Sequence, residues 1–346
     1  MSAKTILVTG GLGFIGSNFI HYILAKYPHY KIVNMDSKTY ASDPDNLRAL
    51  EMNPRYTFYQ IDIRDAGAVR KVFHHEQITD VIHFAAESHV DNSIKNPGVF
   101  AETNVIGTLN LLEAARGLWQ IGPYEPKEPF KKSRFHHIST DEVYGTLGDN
   151  GFFTEETPYA PNSPYSASKA GSDLLVRSFY HTYGLNVVTT NCSNNYGPMQ
   201  HDEKLIPTII RKALANEEIP IYGNGQNVRD WLYVGDHCVA IDKVFHTGNE
   251  GETYLIGGNN EKTNIEIAGH ICEYLDEHLP KGESYKNQIR FVKDRHGHDF
   301  RYAIDATKLQ EEFQFFPAET FESGLEKTIE WYIEKYKGAD VLWKMG

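Results

Sequence analysis

The stretch Lys4-Thr5-Ile6-Leu7-Val8-Thr9-Gly10-Gly11-Leu12-Gly13-Phe14-Ile15-Gly16 constrains this chain more than any other. Ile6, Leu7 and Val8 form a short apolar run that suits a strand buried on both faces of a parallel sheet. Glycines follow at once, and from Phe14 to Leu24 apolar residues recur at helical spacing. In that strand–turn–helix context, Gly10-x-x-Gly13-x-x-Gly16, equally Gly11-x-Gly13-x-x-Gly16, reads as a dinucleotide site. A Cβ there would hold a pyrophosphate away from the backbone N–H groups at the helix N-terminus.

The next apolar run, Tyr30 to Met35, ends at Asp36, twenty residues past Gly16. A carboxylate at the end of the second strand accepts both hydroxyls of an adenosine ribose and repels a 2′-phosphate, which favours NAD over NADP. Lys38, close by, works against that preference. Further strand patterns run through Tyr56–Ile63, Asp80–Ala86, Arg134–Ser139 and Leu185–Asn191, with helical patterns at Ala66–His75, Glu102–Ala115 and from Ser163 to Gly184. The alternation predicts an α/β fold, a Rossmann-type doubly wound parallel sheet with ligands at the C-terminal strand ends. Asp62 ends the third strand, where it either reaches the adenine amino group or caps the turn. Ala85 and Ala86 are small where the backbone passes close to the cofactor.

The pattern loosens near residue 198. The expected division is a cofactor domain over 1–197, with a segment near 228–258 returning to it, and a smaller α/β substrate domain over 198–346. With 346 residues there is chain enough for both, and no stretch approaches the roughly 20 apolar residues of a membrane helix. Cys192, Cys238 and Cys272 are odd in number and widely spaced, so they read as free thiols of a cytoplasmic protein, and the early first strand leaves no room for a signal peptide. A formal charge of −12 argues against nucleic acid as a partner. His296 and His298 lack further ligands for a metal, and the doublets His74-His75 and His136-His137 read as helix or strand surface. The Pro- and charge-rich Leu118–Lys132 reads as a surface insertion.

Chemistry concentrates in two places. Tyr165 and Lys169 stand four apart and share a helix face, where an ammonium lowers a phenol toward the range of a general base. Asp141 and Glu142 follow Thr140 at the end of the fifth strand. Two neighbouring carboxyls in a dry cleft cannot both ionise cheaply, so one dipeptide supplies an acid and a base. On a regular strand the two would face opposite ways, so irregular backbone is expected there. In the distal half, Arg229 near Tyr222 and Trp231 is expected to clamp a diphosphate.

The glycine loop, Tyr165-x-x-x-Lys169 and Asn194-Asn195-Tyr196-Gly197-Pro198 together resemble the extended short-chain dehydrogenase/reductase family acting on nucleotide sugars. Thr140-Asp141-Glu142, Asp36-Ser37-Lys38-Thr39-Tyr40, Glu87-Ser88-His89-Val90-Asp91, Arg229-Asp230-Trp231 and Asp294-Arg295-x-Gly297-His298 are similar to its dTDP-glucose 4,6-dehydratase branch. Ser42-Asp43-Pro44, Asn92 and His296 depart from that pattern. The resemblance implies an NAD-dependent hydro-lyase that acts on dTDP-glucose, with Thr140, Asp141, Glu142, Tyr165 and Lys169 catalytic. It implies NAD contacts from Gly10, Gly13, Phe14, Ile15, Gly16, Asp36, Ser37, Lys38, Thr39, Asp62, Ile63, Ala85, Ala86, Thr103, Tyr165, Lys169 and Asn195. Substrate contacts are implied for Ser88, Thr140, Asn194, Lys204, Leu205, Pro220, Tyr222, Arg229, Asn264, Arg295 and His298, and no metal. It also implies a homodimer through helices at 103–117 and 165–183. An epimerase, a decarboxylase or a UDP-glucose dehydratase is the alternative, and such epimerases and decarboxylases lack the Asp-Glu pair.

Overall fold

Ile6, Leu7 and Val8 are fully buried because their strand lies in the interior of a sheet covered on both faces. The protein is represented by a computed structural model that describes residues 3–294 and 299–343. Seven strands form the sheet: β1 (Lys4–Thr9), β2 (Tyr30–Asp36), β3 (Tyr56–Gln60), β4 (Asp80–His83), β5 (Phe135–Thr140), β6 (Val187–Cys192) and β7 (Thr253–Ile256). Their spatial order is β7-β6-β5-β4-β1-β2-β3, and every neighbouring pair is parallel. The order reverses between β1 and β4, which opens a crevice at the C-terminal strand ends.

Helices α1 (Phe14–Lys26), α2 (Ala66–Glu76), α3 (Thr108–Trp119), α4 (Pro164–Tyr183), α5 (Leu205–Leu214), α6 (Val234–Thr247), α7 (Asn264–His278) and α8 (Phe321–Trp343) complete the frame. One core, with Phe19, Ile23, Ile241 and Val244, lies between the sheet and α1 and α6. The other, with Phe73, Leu111, Leu112 and Val176, packs α2, α3 and α4 on the opposite side. Burying each such side chain stabilises by roughly 1.5–3 kcal/mol. The start and stop of α4 follow from its sequence. Ser163 and Ser166 form a reciprocal cap, Pro164 opens the first turn, and Gly184 takes the left-handed conformation at φ 65°.

Beyond β6 the chain builds a second layer. Asn194–Tyr196 pairs with Val228–Tyr233, which pairs antiparallel with Glu261–Thr263. Ile219–Tyr222 pairs parallel with Ile289–Val292, and α5, α7 and α8 enclose a separate core around Ile209, Ile271 and Tyr332.

Four expectations need correction. His136 and His137 are not surface residues: both are fully buried in β5, a strand covered on both faces. The helix expected over Glu102–Ala115 is not regular. A π-helical segment over Ala101–Gly107 precedes α3, and it turns Asn104 inward, where Oδ1 accepts from Glu87 N at 2.8 Å and Nδ2 donates to Ser168 Oγ at 2.8 Å. The stretch 118–132 is only partly a surface insertion. Trp119 is buried and donates to Ile78 O at 2.8 Å, and Phe130 is buried beside it, while Ile121 and Tyr124 are exposed. Tyr56–Ile63 and Asp80–Ala86 also stop early as strands, at Gln60 and His83, because their last residues turn into the crevice.

Candidate active site

The glycine loop forms one end of the crevice. Gly10 has φ 70°, and a Cβ on it would lie 2.7 Å from the Ala85 backbone. A Cβ on Gly16 would run into the Gly10 carbonyl and come within 2.9 Å of Gly11 Cα. No side chain caps the first turn of α1, whose residues Phe14, Ile15 and Gly16 line the crevice. This is a cradle for a diphosphate: backbone N–H groups at the positive end of a helix, with no Cβ in the way.

Asp36 lies beside it. Its carboxylate accepts from Leu12 N at 3.0 Å, Lys38 N at 2.8 Å and Ser42 Oγ at 2.7 Å. Three of its roughly four lone-pair positions are therefore taken by the protein, which fixes the side chain in place. Ser42, in the stretch that departs from the family pattern, is one of the groups that fix it. Asp62 forks onto Arg64, with Oδ2 2.7 Å from Nη2, and that pairing holds its carboxyl below the ordinary value.

At the other end, β5 stops at Thr140, and the backbone turns into a 3₁₀ turn over Asp141–Tyr144. The turn breaks the strand's alternation, so Asp141 and Glu142 both line the crevice. Asp141 is 1% exposed, and its Oδ2 has no hydrogen-bond partner among the described residues. Burial, then the charges of Glu142 and Asp230, push its carboxyl well above the ordinary 3.8, against the pull of Arg229 and Thr140. The shift favours the protonated acid over the carboxylate.

Tyr165 and Lys169 face the same crevice from α4. The expected lowering of the tyrosine is not what the protein's own groups produce. Burial, Glu142 and Cys192 push the Tyr165 phenol well above 10, with a hydrogen bond from Thr140 opposing them. Lys169, 4% exposed, donates through Nζ to Ile138 O at 2.8 Å. Four-residue spacing shows that two side chains share a face, and it does not show the desolvation they meet there.

Of the residues singled out in the sequence, one crevice gathers Gly10, Gly13, Phe14, Ile15, Gly16, Asp36, Ser37, Thr39, Asp62, Ile63, Ala85, Ala86 and Thr103 with Ser88, Thr140, Asp141, Glu142, Tyr165, Lys169, Asn194, Asn195 and Lys204. Lys38, Leu205, Pro220, Tyr222, Arg229 and Asn264 do not line it. Lys38 lies over the Phe58 ring, and Tyr222 is exposed on the short sheet with Ile289–Val292. Arg229 lies 4.3 Å over the Tyr302 ring and donates to the carbonyls of Val228, Asp299 and Phe300. Arg295, His296 and His298 fall outside the described residues. Glu87, Gln200, His201 and Glu203 line the crevice without having been singled out as ligand-binding residues. The polar run Gln200-His201-Asp202-Glu203 just before the noted Lys204 was the available signal. Asn104, which ties the Glu87 backbone to α4, carried none.

A parallel sheet with a glycine cradle at its switch point, and a Tyr/Lys pair facing two adjacent carboxyls across it, define a dinucleotide-dependent enzyme of the extended short-chain dehydrogenase type. The family model described as GDP-mannose 4,6 dehydratase matches residues 7–328, and the chain belongs to that family. It is 55% identical to a dTDP-glucose 4,6-dehydratase of Xanthomonas campestris pv. campestris (strain B100), over 95% of this chain and 93% of that one. Among solved structures it resembles the dTDP-glucose 4,6-dehydratase of Bacillus anthracis str. Ames in complex with NAD, with TM-score 0.85, 46% identity, and coverage of 97% and 98%. The enzyme of the same name from Streptomyces venezuelae, also with NAD bound, gives TM-score 0.86 and 44% identity, covering 95% of this chain and 97% of that one.

Proposed function

We propose that this protein is a dTDP-glucose 4,6-dehydratase, which converts dTDP-glucose to dTDP-4-keto-6-deoxyglucose and water with NAD. The observation that carries the reading is Asp141: a buried carboxyl with an unpartnered Oδ2 among the described residues, beside Glu142, on the wall shared with Tyr165 and Lys169, where burial favours its protonated form. Epimerisation at C4 has no use for such an acid, whereas expulsion of a hydroxyl requires one.

The C5 hydrogen of a hexose is barely acidic until C4 is a ketone. NAD, held at the glycine cradle, supplies a reversible hydride store for carbons 4 and 6. Tyr165, once it has given its own proton to solvent, takes the proton of the C4 hydroxyl as a phenolate, and Thr140 hydrogen-bonds the same oxygen. The phenol's high value at rest means that the phenolate must be stabilised as it forms, and Lys169 supplies positive charge from the same face of α4. Glu142 removes the C5 proton, and Asp141 gives its proton to the departing C6 hydroxyl, which leaves as water. Glu142 then returns the proton to C5. Tyr165 ends protonated, as it began, and the proton it first released to solvent makes up the one missing from Asp141.

Lys204 donates to Ser88 O at 3.3 Å and joins the two sides of the crevice mouth, where both residues are proposed to meet the substrate. Arg229, Tyr222, Asn264 and the segment 295–298 are proposed for its nucleotide end. Free, buried Cys192, Cys238 and Cys272 suit a reducing cytoplasm. Exposed Ile106 and Leu174, on the outer surface of the π-helical segment and α4, support a homodimer.

Incubation with dTDP-glucose and, separately, UDP-glucose tests the reading. A 4-keto-6-deoxy product, detected by its absorbance in alkali, should form from dTDP-glucose faster than from UDP-glucose. An epimerised hexose, with no such product, would overturn it.

A further inference from the structure

One helical turn beyond Lys169, α4 carries a second buried carboxyl, Asp173, 3% exposed. Its oxygens accept from His137 Nε2 at 3.0 Å, Ser139 Oγ at 2.9 Å, Tyr159 OH at 3.1 Å and Asn191 Nδ2 at 3.1 Å. Asn191 Nδ2 also donates to Thr140 O at 3.1 Å. Lys169 fastens to the carbonyl of Ile138 while Asp173 fastens to the hydroxyl of the next residue, Ser139. The two side chains thus grip successive residues of β5, directly behind Thr140, Asp141 and Glu142.

The charges in this network are distinctive. His137 touches Asp173, but burial and Lys169 hold its ring down to about 4, so it is neutral at pH 7. The carboxyl of Asp173 stays below its ordinary value: burial opposes this, and the hydrogen bond from His137 and the charge of Lys169 outweigh it. Burial also drives Lys169 down, with Asp173 and Cys192 opposing. The other titratable groups facing the pair are His83 on β4, Cys192 on β6, and Tyr144 and Tyr159 after β5. Burial keeps His83 neutral, pushes the Cys192 thiol up to about 12 and raises both phenols. None of them changes charge near neutrality. The buried anion and the buried ammonium are left to compensate each other through one turn of helix.

We infer that Asp173 is a positioning residue: its buried carboxylate keeps Lys169 charged and in place beside Tyr165, and so sets the alkaline limit of C4 oxidation. This rests on the reaction proposed above. Asp173→Asn removes the anion and keeps the shape. In the holoenzyme, the alkaline limb of C4 oxidation, followed as reduced-nicotinamide absorbance with dTDP-glucose, should move down by about one pH unit or more. Asp173→Glu should bring it back most of the way, with bound NAD unchanged in both variants.

Melting supplies a readout independent of turnover. A lysine held further below its unfolded value costs stability at neutral pH and regains it as pH rises. The gap in melting temperature between Asp173→Asn and the unaltered protein should therefore narrow between about pH 7 and about pH 10. A constant gap, with rates reduced equally at every pH in both variants, would mean a merely structural role and would overturn the inference. If Asp173→Asn does not fold, Tyr159→Phe takes one donor from the carboxylate and should raise the alkaline limb slightly; an unmoved limb then counts against it. Failure of the unaltered holoenzyme to make the 4-keto-6-deoxy sugar would sink the functional reading and this inference with it. A working enzyme with an unmoved limb sinks the inference alone.

Discussion

In the reaction proposed above, Asp141 serves as the acid because the protein does not let it behave as an ordinary carboxylate. Its raised value has two consequences that one substitution separates. Asp141→Asn cannot protonate the leaving hydroxyl, so water loss should fall by roughly 100-fold or more. C4 oxidation, which the proposed mechanism assigns to Tyr165 and Thr140, should persist, with reduced nicotinamide accumulating in rapid-mixing absorbance. If both steps slow equally, the assignment of the acid fails. Stability should move the other way. A carboxyl whose folded value lies above 3.8 confers stability that is fully present below that pH and is lost as pH rises toward the folded value. Asn carries no such dependence, so the variant should melt higher than the unaltered protein near pH 8 and lose that advantage near pH 4. The adjacency of the two acids was plain in the sequence, and so was the need for irregular backbone, which the 3₁₀ turn supplies. The upward shift of Tyr165 and the burial of His136 and His137 were not. Desolvation depends on what other elements place around a side chain, and no local spacing records that.

The strand–glycine–helix element carries its own discriminating test. A Cβ at Gly13 would meet only the Gly10 carbonyl, at 3.3 Å, whereas one at Gly16 would collide with the backbone of Gly10 and Gly11. Gly13→Ala should therefore fold with a melting temperature close to that of the parent but intrude on the diphosphate cradle, lowering the NAD content of the purified protein. Gly16→Ala should lose both NAD and stability, by more than roughly 1 kcal/mol. A Gly13→Ala protein that retains full NAD would contradict the cradle. α4 was legible because its apolar period and capping residues agree, and α1 because its apolar period follows directly on the glycine turn. The π-helical turn at Ala101–Gly107 was not, because an extra residue in one turn leaves a pattern a regular helix also satisfies.

At the scale of the molecule, the two faces of α4 are unlike. Its inner face carries Tyr165, Lys169 and Asp173 against β5, while Leu174 stands 57% exposed on the outside, and Ile106 is 48% exposed on the neighbouring π-helical segment. Apolar side chains at this exposure, on helices that hold a site, fit a surface that a second copy covers. In the proposed homodimer, Leu174→Glu would bury a charge between the copies, costing several kcal/mol and favouring monomers. Light scattering should show a dimer for the unaltered protein and a monomer of about half the mass for the variant. The helix would then lose support on its outer side, so C4 oxidation should fall several-fold while NAD, held at the distant glycine cradle, stays bound. A variant that remains dimeric would place the interface elsewhere, and a monomer with undiminished oxidation would show that α4 needs only β5 behind it to hold Tyr165 and Lys169 in place.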